Sequence, residues 1–185
     1  MSNLKKNIRC DVDGVLRNFV GSVYRVLKYY YPDRVPEEQP IHKSWHMSND
    51  YPDFDRQEYY DLIFDVHAEE IFSQADPYDG AIDFLDKLYE IEGHDLLIRT
   101  HQNDKTAMVT FDWLLNHGAN FDGYFVSKAM DYKNYMNTII IDDKPDNLFY
   151  NSNGILMDRD WNQDIEFPRR ACNYQEVLNY VNQLI

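Results

Sequence analysis

Cysteine is scarce: the 185 residues contain only Cys10 and Cys172. Two thiols make no disulfide framework, and Cys10 lies in the apolar approach to an aspartate, where a buried, reduced thiol is expected rather than a bridge. Positive charge is scarce as well. Eighteen Lys and Arg stand against thirty-two Asp and Glu, a formal net charge of −14. That balance provides no basic footprint for duplex or single-stranded nucleic acid, so no long polyanion is expected as a partner. Small anions stay open if a metal and a few cations gather locally. No apolar run approaches the ~20 residues of a membrane span, and Met1 to Asn7 lack the apolar region of a signal peptide. The expectation is a cytoplasmic protein without a membrane partner, built as one domain or as one domain carrying an inserted cap. No internal repeat or low-complexity tract breaks the chain.

What the chain does have is the stretch Asn7-Ile8-Arg9-Cys10-Asp11-Val12-Asp13-Gly14-Val15-Leu16. A short β-prone run ends in two carboxylates one residue apart, and side chains at i and i+2 of an extended segment share a face. Gly14 then lets the backbone turn away at little steric cost. Two anions that close repel unless a cation joins them or one takes a proton. A calcium loop is excluded, because the EF-hand pattern wants Asp or Asn at its fifth position and Gly at its sixth, where Val15 and Leu16 stand. A pair of solvated turn aspartates would explain this stretch if it stood alone.

It does not stand alone. Val20, Val23, Tyr24, Leu27 and Tyr30/Tyr31 recur at helical spacing until Pro32. Pro32, Pro36, Pro40 and Pro52 interrupt the following stretch, which also carries Trp45. A second helical stripe runs Tyr59, Leu62, Ile63, Val66. Residues 17–76 therefore read as a helical insert, rich in aromatics, between residues 1–16 and 77–185 of an α/β core. In that core, Ala81, Ile82, Leu85, Leu88 and Tyr89 line a helix face, Asp95 to Thr100 is a strand, and Ala107, Met108, Phe111, Leu114 and Leu115 line another helix. Tyr124–Ser127, Thr138–Ile141 and Ile155–Met157 are further strands, and Tyr174 to Ile185 is a closing amphipathic helix. The alternation predicts an α/β fold with a doubly wound, mainly parallel sheet. Ligands of such sheets sit outside the carboxyl ends of the strands, where Asp11/Asp13, Thr100, Ser127 and Asp142/Asp143 all fall.

An octahedral Mg²⁺ site takes oxygen ligands at roughly 2.0–2.1 Å and keeps several waters. Asp11, the backbone carbonyl of Asp13 and the Asp142/Asp143 pair can supply those oxygens, with Asp143 expected to hold a metal-bound water or a lysine. Thr100 can hydrogen-bond a phosphoryl oxygen, though it serves equally as a turn residue. Lys133 or Lys128 could neutralise the Asp11 charge and a transferring group, and Lys133 is favoured. His42, His46, His67, His94 and His117 show no ligand spacing and are expected at the surface or at helix ends.

These residues resemble the haloacid dehalogenase (HAD) superfamily. Its first motif, Asp-x-Asp-Gly-hydrophobic, is Asp11-Val12-Asp13-Gly14-Val15; its second, an apolar strand closed by Thr or Ser, is similar to Leu96-Leu97-Ile98-Arg99-Thr100. The motif lysine is similar to Lys133, and the acidic pair after an apolar strand matches Ile139-Ile140-Ile141-Asp142-Asp143. The resemblance runs from Ile8 to about Tyr180. Within the superfamily, Asp-Val-Asp-Gly-Val-Leu with Phe19, the Pro77-Tyr78-Asp79-Gly80-Ala81 entry and Ile141-Asp142-Asp143-Lys144 look like the 5′(3′)-deoxyribonucleotidase (cytosolic type C) group. Thr100-His101-Gln102 departs from that group's Thr-Ser-Pro, and Arg99 replaces a small residue.

The resemblance implies a phosphatase that works through an aspartyl-phosphate. Asp11 would attack phosphorus, Asp13 would protonate the leaving oxygen and later activate water, and Mg²⁺, Lys133 and Thr100 would stabilise charge. The substrate implied is a small phosphate ester, a nucleoside monophosphate first, with His101 beside the phosphate. Phe19 and Trp45 are the candidates for stacking on a base, although most aromatics of the insert would simply fill its own core. The rivals are a phosphatase for nucleic-acid 3′ ends and an inactive HAD-fold binding module; the intact motif set disfavours the second.

Overall fold

Six segments pair into one sheet in the computed structural model, which describes residues 6–127 and 138–185. They are β1 (Lys6–Cys10), β2 (His94–Thr100), β3 (Gly123–Val126), β4 (Thr138–Asp142), β5 (Gly154–Met157) and β6 (Arg170–Ala171). Their order is β3-β2-β1-β4-β5-β6, and every pair is parallel. The fold is therefore α/β with a parallel sheet. β6 escaped the sequence reading because two residues, Arg170 and Ala171, carry no periodic signal.

Register explains the core. Ile8 lies opposite Leu96 and Ile139, and Cys10 lies opposite Ile98 and Ile141. Ile141 in turn faces Ile155. Because strand side chains alternate, these residues share one face of the sheet. Helices α4 (Ala81–Tyr89), α5 (Asp104–Asn116) and α6 (Tyr174–Leu184) cover it with Phe84, Leu85, Leu88, Trp113, Leu114, Val177 and Val181. Phe84 stacks on Tyr174 at 4.5 Å between ring centroids, joining α4 to α6. β4 is buried throughout, as its unbroken apolar run requires. Cys10 is buried and Cys172 exposed, and both are free thiols.

α5 differs from its sequence reading. Met108 and Leu115 were placed on its buried stripe but are exposed, at 62% and 52%. Ala107 and Leu114 of the stripe are buried, and Thr106, Thr110 and Trp113 complete that face in place of Met108 and Leu115. Trp113 donates its Nε1–H to the Ala75 carbonyl at 2.7 Å, and Thr110 joins a polar network described below. Polar residues with buried partners thus took positions that hydropathy alone assigned to apolar ones.

Between β1 and α4 the chain forms α1 (Phe19–Tyr30), α2 (Arg56–Asp61) and α3 (Ala68–Ser73). Each start is legible: Asn18 caps α1 by accepting from the Gly21 N–H, and Asp55 caps α2 by accepting from Glu58. These helices enclose a second apolar cluster around Val23, Leu27, Tyr51, Phe54, Tyr59, Ile63, Ile71 and Phe72, against which Val109 of α5 packs. A π-helical turn, Leu62–Val66, follows α2 directly and closes on the bond from His67 N to Leu62 O. The wider turn rotates Val66 off the stripe, leaving it 64% exposed rather than buried. His42, expected at the surface, is buried against the Tyr51 ring and paired with Asp50 at 2.7 Å, because the proline-rich stretch folds back on itself.

Phe84→Ala should cost about 3–5 kcal/mol, the loss for a fully buried aromatic whose neighbours relax only in part. Urea unfolding followed by tryptophan fluorescence measures it. A loss under 1 kcal/mol would show that the α4–α6 layer contributes little.

Candidate active site

Strand order reverses between β1 and β4: from β1 the chain winds outward to β2 and β3, and β4 adds on the other side. A crevice opens at the carboxyl ends of such a pair. The Asp11 N–H donates to Ile141 O at 3.0 Å, so the two strand ends leave the sheet side by side. Asp11 follows β1, Asp142 ends β4 and Asp143 follows it. Each of these three offers a carboxylate oxygen within 4.8 Å of the others.

Gly14 makes this approach possible. Its φ is +78°, and a Cβ there would stand 2.1 Å from Asp143 Oδ2 and 3.0 Å from Trp161 Cζ2. Any side chain would push the acidic pair away. The turn is held from the other side by Arg159, whose Nε donates to Gly14 O at 2.5 Å while the guanidinium lies over the Tyr78 ring.

The acidic pair is unequal. Asp142 accepts on both oxygens, from Lys144 N at 2.8 Å and from Asn147 Nδ2 at 2.8 Å. Asp143 accepts from Trp161 Nε1 at 2.8 Å on Oδ2, rather than from a lysine. Among the described residues its buried Oδ1 meets no donor. A buried carboxylate oxygen without a donor is costly unless a proton or a cation meets it. Electrostatics agree. Burial, then the charges of Asp142, Asp143 and Asp13, push the Asp11 carboxyl well above its ordinary range. Burial raises Asp142 to about 6 against the pull of the Lys144 N–H and Asn147 donors and of the Arg99 and Lys144 charges. Burial and Asp142 likewise raise Asp143. A divalent cation among three hard oxygen donors would remove this penalty, so the donor set fits Mg²⁺.

Asp13 stands apart from this trio. Its carboxylate turns to Arg17 and Gln102, and its side chain keeps 24% exposure. Thr100, at the end of β2, is 1% exposed and lines the same cavity as Asp11, with His101 beside it. Lys133 and Lys128 lie outside the described residues. The cations described around the cavity are Arg99 and Lys144.

The cavity measures about 490 Å³. The carboxylates form one end, and aromatics from the helical segment form the other. Phe19 lines it while packing on Phe64 and Phe72, so it belongs to both the cavity wall and the second apolar cluster. Trp45 lines it at 42% exposure, edge-on to Trp161 and with Lys144 Nζ 4.9 Å from its ring centroid. Tyr60 and Phe64 join them, stacked at 6.2 Å. Sequence reasoning missed Trp161 and Asn147. A tryptophan in the loop after β5 and an asparagine five residues past Asp142 carry no spacing signal of their own.

The family model for 5′ nucleotidase, deoxy (pyrimidine), cytosolic type C protein matches residues 5–185. The chain belongs to this family. That makes it a phosphatase, of a family that acts on small phosphate esters. Solved structures share the fold at low identity. A predicted phosphatase from Clostridium acetobutylicum superposes with a TM-score of 0.68 at 18% identity, covering 97% of this chain and 99% of that one. A HAD family hydrolase from Deinococcus radiodurans with bound phosphate and sodium gives 0.65 at 11%, covering 97% and 96%. CbbY from Rhodobacter sphaeroides in complex with phosphate gives 0.61 at 13%, covering 97% and 100%. A search of curated proteins finds no match. Among the described residues, no helix is long and apolar enough to cross a membrane.

The raised carboxyls set a pH dependence for the metal-free protein. Below about pH 4, near the ordinary carboxyl value, native and unfolded chains are both protonated and no penalty applies. From about pH 4 upward the unfolded chain releases protons that the native site retains, up to about 6 for Asp142 and further for Asp11 and Asp143. Native stability therefore falls with rising pH. In EDTA, Asp11→Asn should melt above the parent at pH 8, with the gap closing near pH 4. A parent at least as stable as the variant at pH 8 would show that these charges cost the fold nothing.

Proposed function

We propose that the protein is a Mg²⁺-dependent phosphomonoesterase for nucleoside monophosphates, working in the cytoplasm through an aspartyl-phosphate on Asp11. The observation that carries this reading is the Asp11–Asp142–Asp143 trio, with a buried Asp143 oxygen that meets no donor among the described residues, in a cavity also lined by aromatics.

In the first half-reaction a carboxylate oxygen of Asp11 bonds to phosphorus while the ester P–O bond breaks. The proton on Asp13 passes to the departing oxygen, so the nucleoside leaves neutral. In the second, water attacks the phosphorus, its proton returns to Asp13, and phosphate leaves Asp11 free. Thr100 donates to a phosphoryl oxygen, His101 lies beside the phosphate, and Lys133 neutralises charge on the transferring group. Asp11, the Asp13 carbonyl, Asp142 and Asp143 would hold Mg²⁺. Bound there, it supplies the positive charge that lets a phosphate dianion approach so many carboxylates.

Residues 17–76 act as a cap over a core of residues 1–16 and 77–185. The support is chemical: the cap offers flat rings, which give contact area at low entropic cost. Phe19 and Trp45 are the stacking residues for the base. Binding energy from the base can then be expressed at the phosphorus only while the cap is seated.

Activity on phenyl phosphate should vanish in EDTA and return with Mg²⁺. Asp11→Asn should lose several orders of magnitude while staying folded; parent-like turnover would remove Asp11 as nucleophile. Trp45→Ala should cost about 1–3 kcal/mol in kcat/KM for a nucleoside monophosphate, the range for base–aromatic stacking, and barely change phenyl phosphate. Equal losses on both would make Trp45 a folding residue.

A further inference from the structure

Asp13 is held by both oxygens in a closed ring of hydrogen bonds. Arg17 Nε donates to Asp13 Oδ1 at 2.8 Å, and Gln102 Nε2 donates to Asp13 Oδ2 at 2.6 Å. Gln102 Oε1 accepts from the Thr110 hydroxyl at 2.8 Å, and Thr110 Oγ1 accepts from Arg17 Nη2 at 2.9 Å. Every donor in the circuit meets an acceptor. The amide nitrogen of Gln102 faces Asp13 and its oxygen faces the Thr110 hydroxyl, so both ends of the amide are matched.

The ring is built from separate elements. Asp13 and Arg17 belong to the turn after β1, Gln102 to the loop after β2, and Thr110 to α5. Arg17 is fully buried, between the rings of Phe72 and Trp113 at 4.9 and 5.2 Å. Its remaining arm, Nη1, donates to the Phe72 carbonyl of α3 at 3.0 Å. Arg17 also pairs with Pro77 where the two connections to the helical segment run together, flanked by Asn18 N to Asp76 O and Tyr78 N to Leu16 O. One guanidinium therefore grips Asp13, the core and the helical segment.

A buried arginine can be structural only. Here its grip ends on a carboxylate that lines the cavity, and a second, independent donor takes the carboxylate's other oxygen. A carboxylate clamped on both oxygens cannot swing about its side-chain torsions. A proton donor displaced by about 1 Å can lose on the order of 10²-fold in rate.

We propose that Arg17, Gln102 and Thr110 are positioning residues that orient Asp13 for proton transfer to the leaving group, with Arg17 tying that orientation to the seated helical segment. This rests on the reading of Asp11 as nucleophile and Asp13 as acid.

The test compares kcat/KM for 4-nitrophenyl phosphate and phenyl phosphate in the Mg²⁺-loaded protein. The first leaving group departs with little help and the second needs a proton. Because kcat/KM extends only to release of the alcohol, it isolates the step that Asp13 protonates. Asp13→Asn is the benchmark: general acid catalysis is worth ~10²–10⁴-fold, so its loss should be far larger on phenyl phosphate. Gln102→Leu, Thr110→Val and Arg17→Met each open the ring at a different side. Each should lose at least about tenfold more on phenyl phosphate than on 4-nitrophenyl phosphate, a part of that acid contribution. Should Arg17→Met fail to fold, the other two decide alone. Equal losses on both esters, or none, while Asp13→Asn discriminates, would overturn the positioning role and leave the acid intact. No discrimination by Asp13→Asn itself would remove Asp13 as the acid, and the proposal with it.

Discussion

Mutual repulsion of carboxylates at one strand-end crevice is the constraint on which the rest of the structure turns. Asp11, Asp142 and Asp143 are brought within 4.8 Å by two adjacent parallel strands whose apolar residues fix the register. Burial of Ile8, Cys10, Ile139 and Ile141 is worth roughly 1.5–3 kcal/mol for each large side chain. That is enough to hold charges together that would otherwise separate. The fold then trims the cost with donors, namely Lys144 N, Asn147 and Trp161, and among the described residues leaves Asp143 Oδ1 without one. A site satisfied completely by its own protein would have no use for a cation.

The strand ends were legible because their signal is local. Asp-x-Asp-Gly after a β-prone run and Asp-Asp after Thr-Ile-Ile-Ile need only period-two alternation to place carboxylates at one end of a sheet. Gly14 was legible as a turn, but its second role, leaving room for Asp143 and Trp161, depends on contacts more than a hundred residues away. The ring through Arg17, Gln102 and Thr110 was not legible for the same reason: Gln102 and Asp13 are 89 residues apart in sequence and 2.6 Å apart in space. Neither Arg17, at the first position of the insert, nor Thr110, among the apolar residues of α5, carries a motif of its own. Val66 failed differently. Its 3.6-residue stripe was correct for Tyr59, Leu62 and Ile63, and one π turn then broke the period.

The aromatic stretch shows how composition can be right about a region and poor about individual residues. Tyr51, Tyr59 and Phe54 fill the interior of the helical segment, as most of its rings were expected to do. Phe19 does both jobs, since a ring packed on Phe72 can still present an edge to the cavity. Trp45 differs from these, since no ring of its own segment is among its described ring contacts. Its contacts are Trp161 and Lys144, both from the far side of the crevice. A tryptophan whose partners lie across a cleft is placed to respond to what enters it.

How a chain of net charge −14 can attract an anion at all is answered by distance rather than by sum. At physiological ionic strength, charges beyond about 8 Å through solvent are largely screened, whereas those inside a dry cavity are not. Arg99 is buried at the cavity wall and Lys144 stands at its rim, so the local field is set by these cations and the acidic trio, not by the surface acids. With the trio uncompensated, the cavity repels phosphate. A divalent cation seated among these carboxylates would offset their charge, leaving Arg99 and Lys144 as the described cations of the cavity lining. A divalent cation held by the trio would turn the buried acids from an obstacle to a short anion into the point that anchors it.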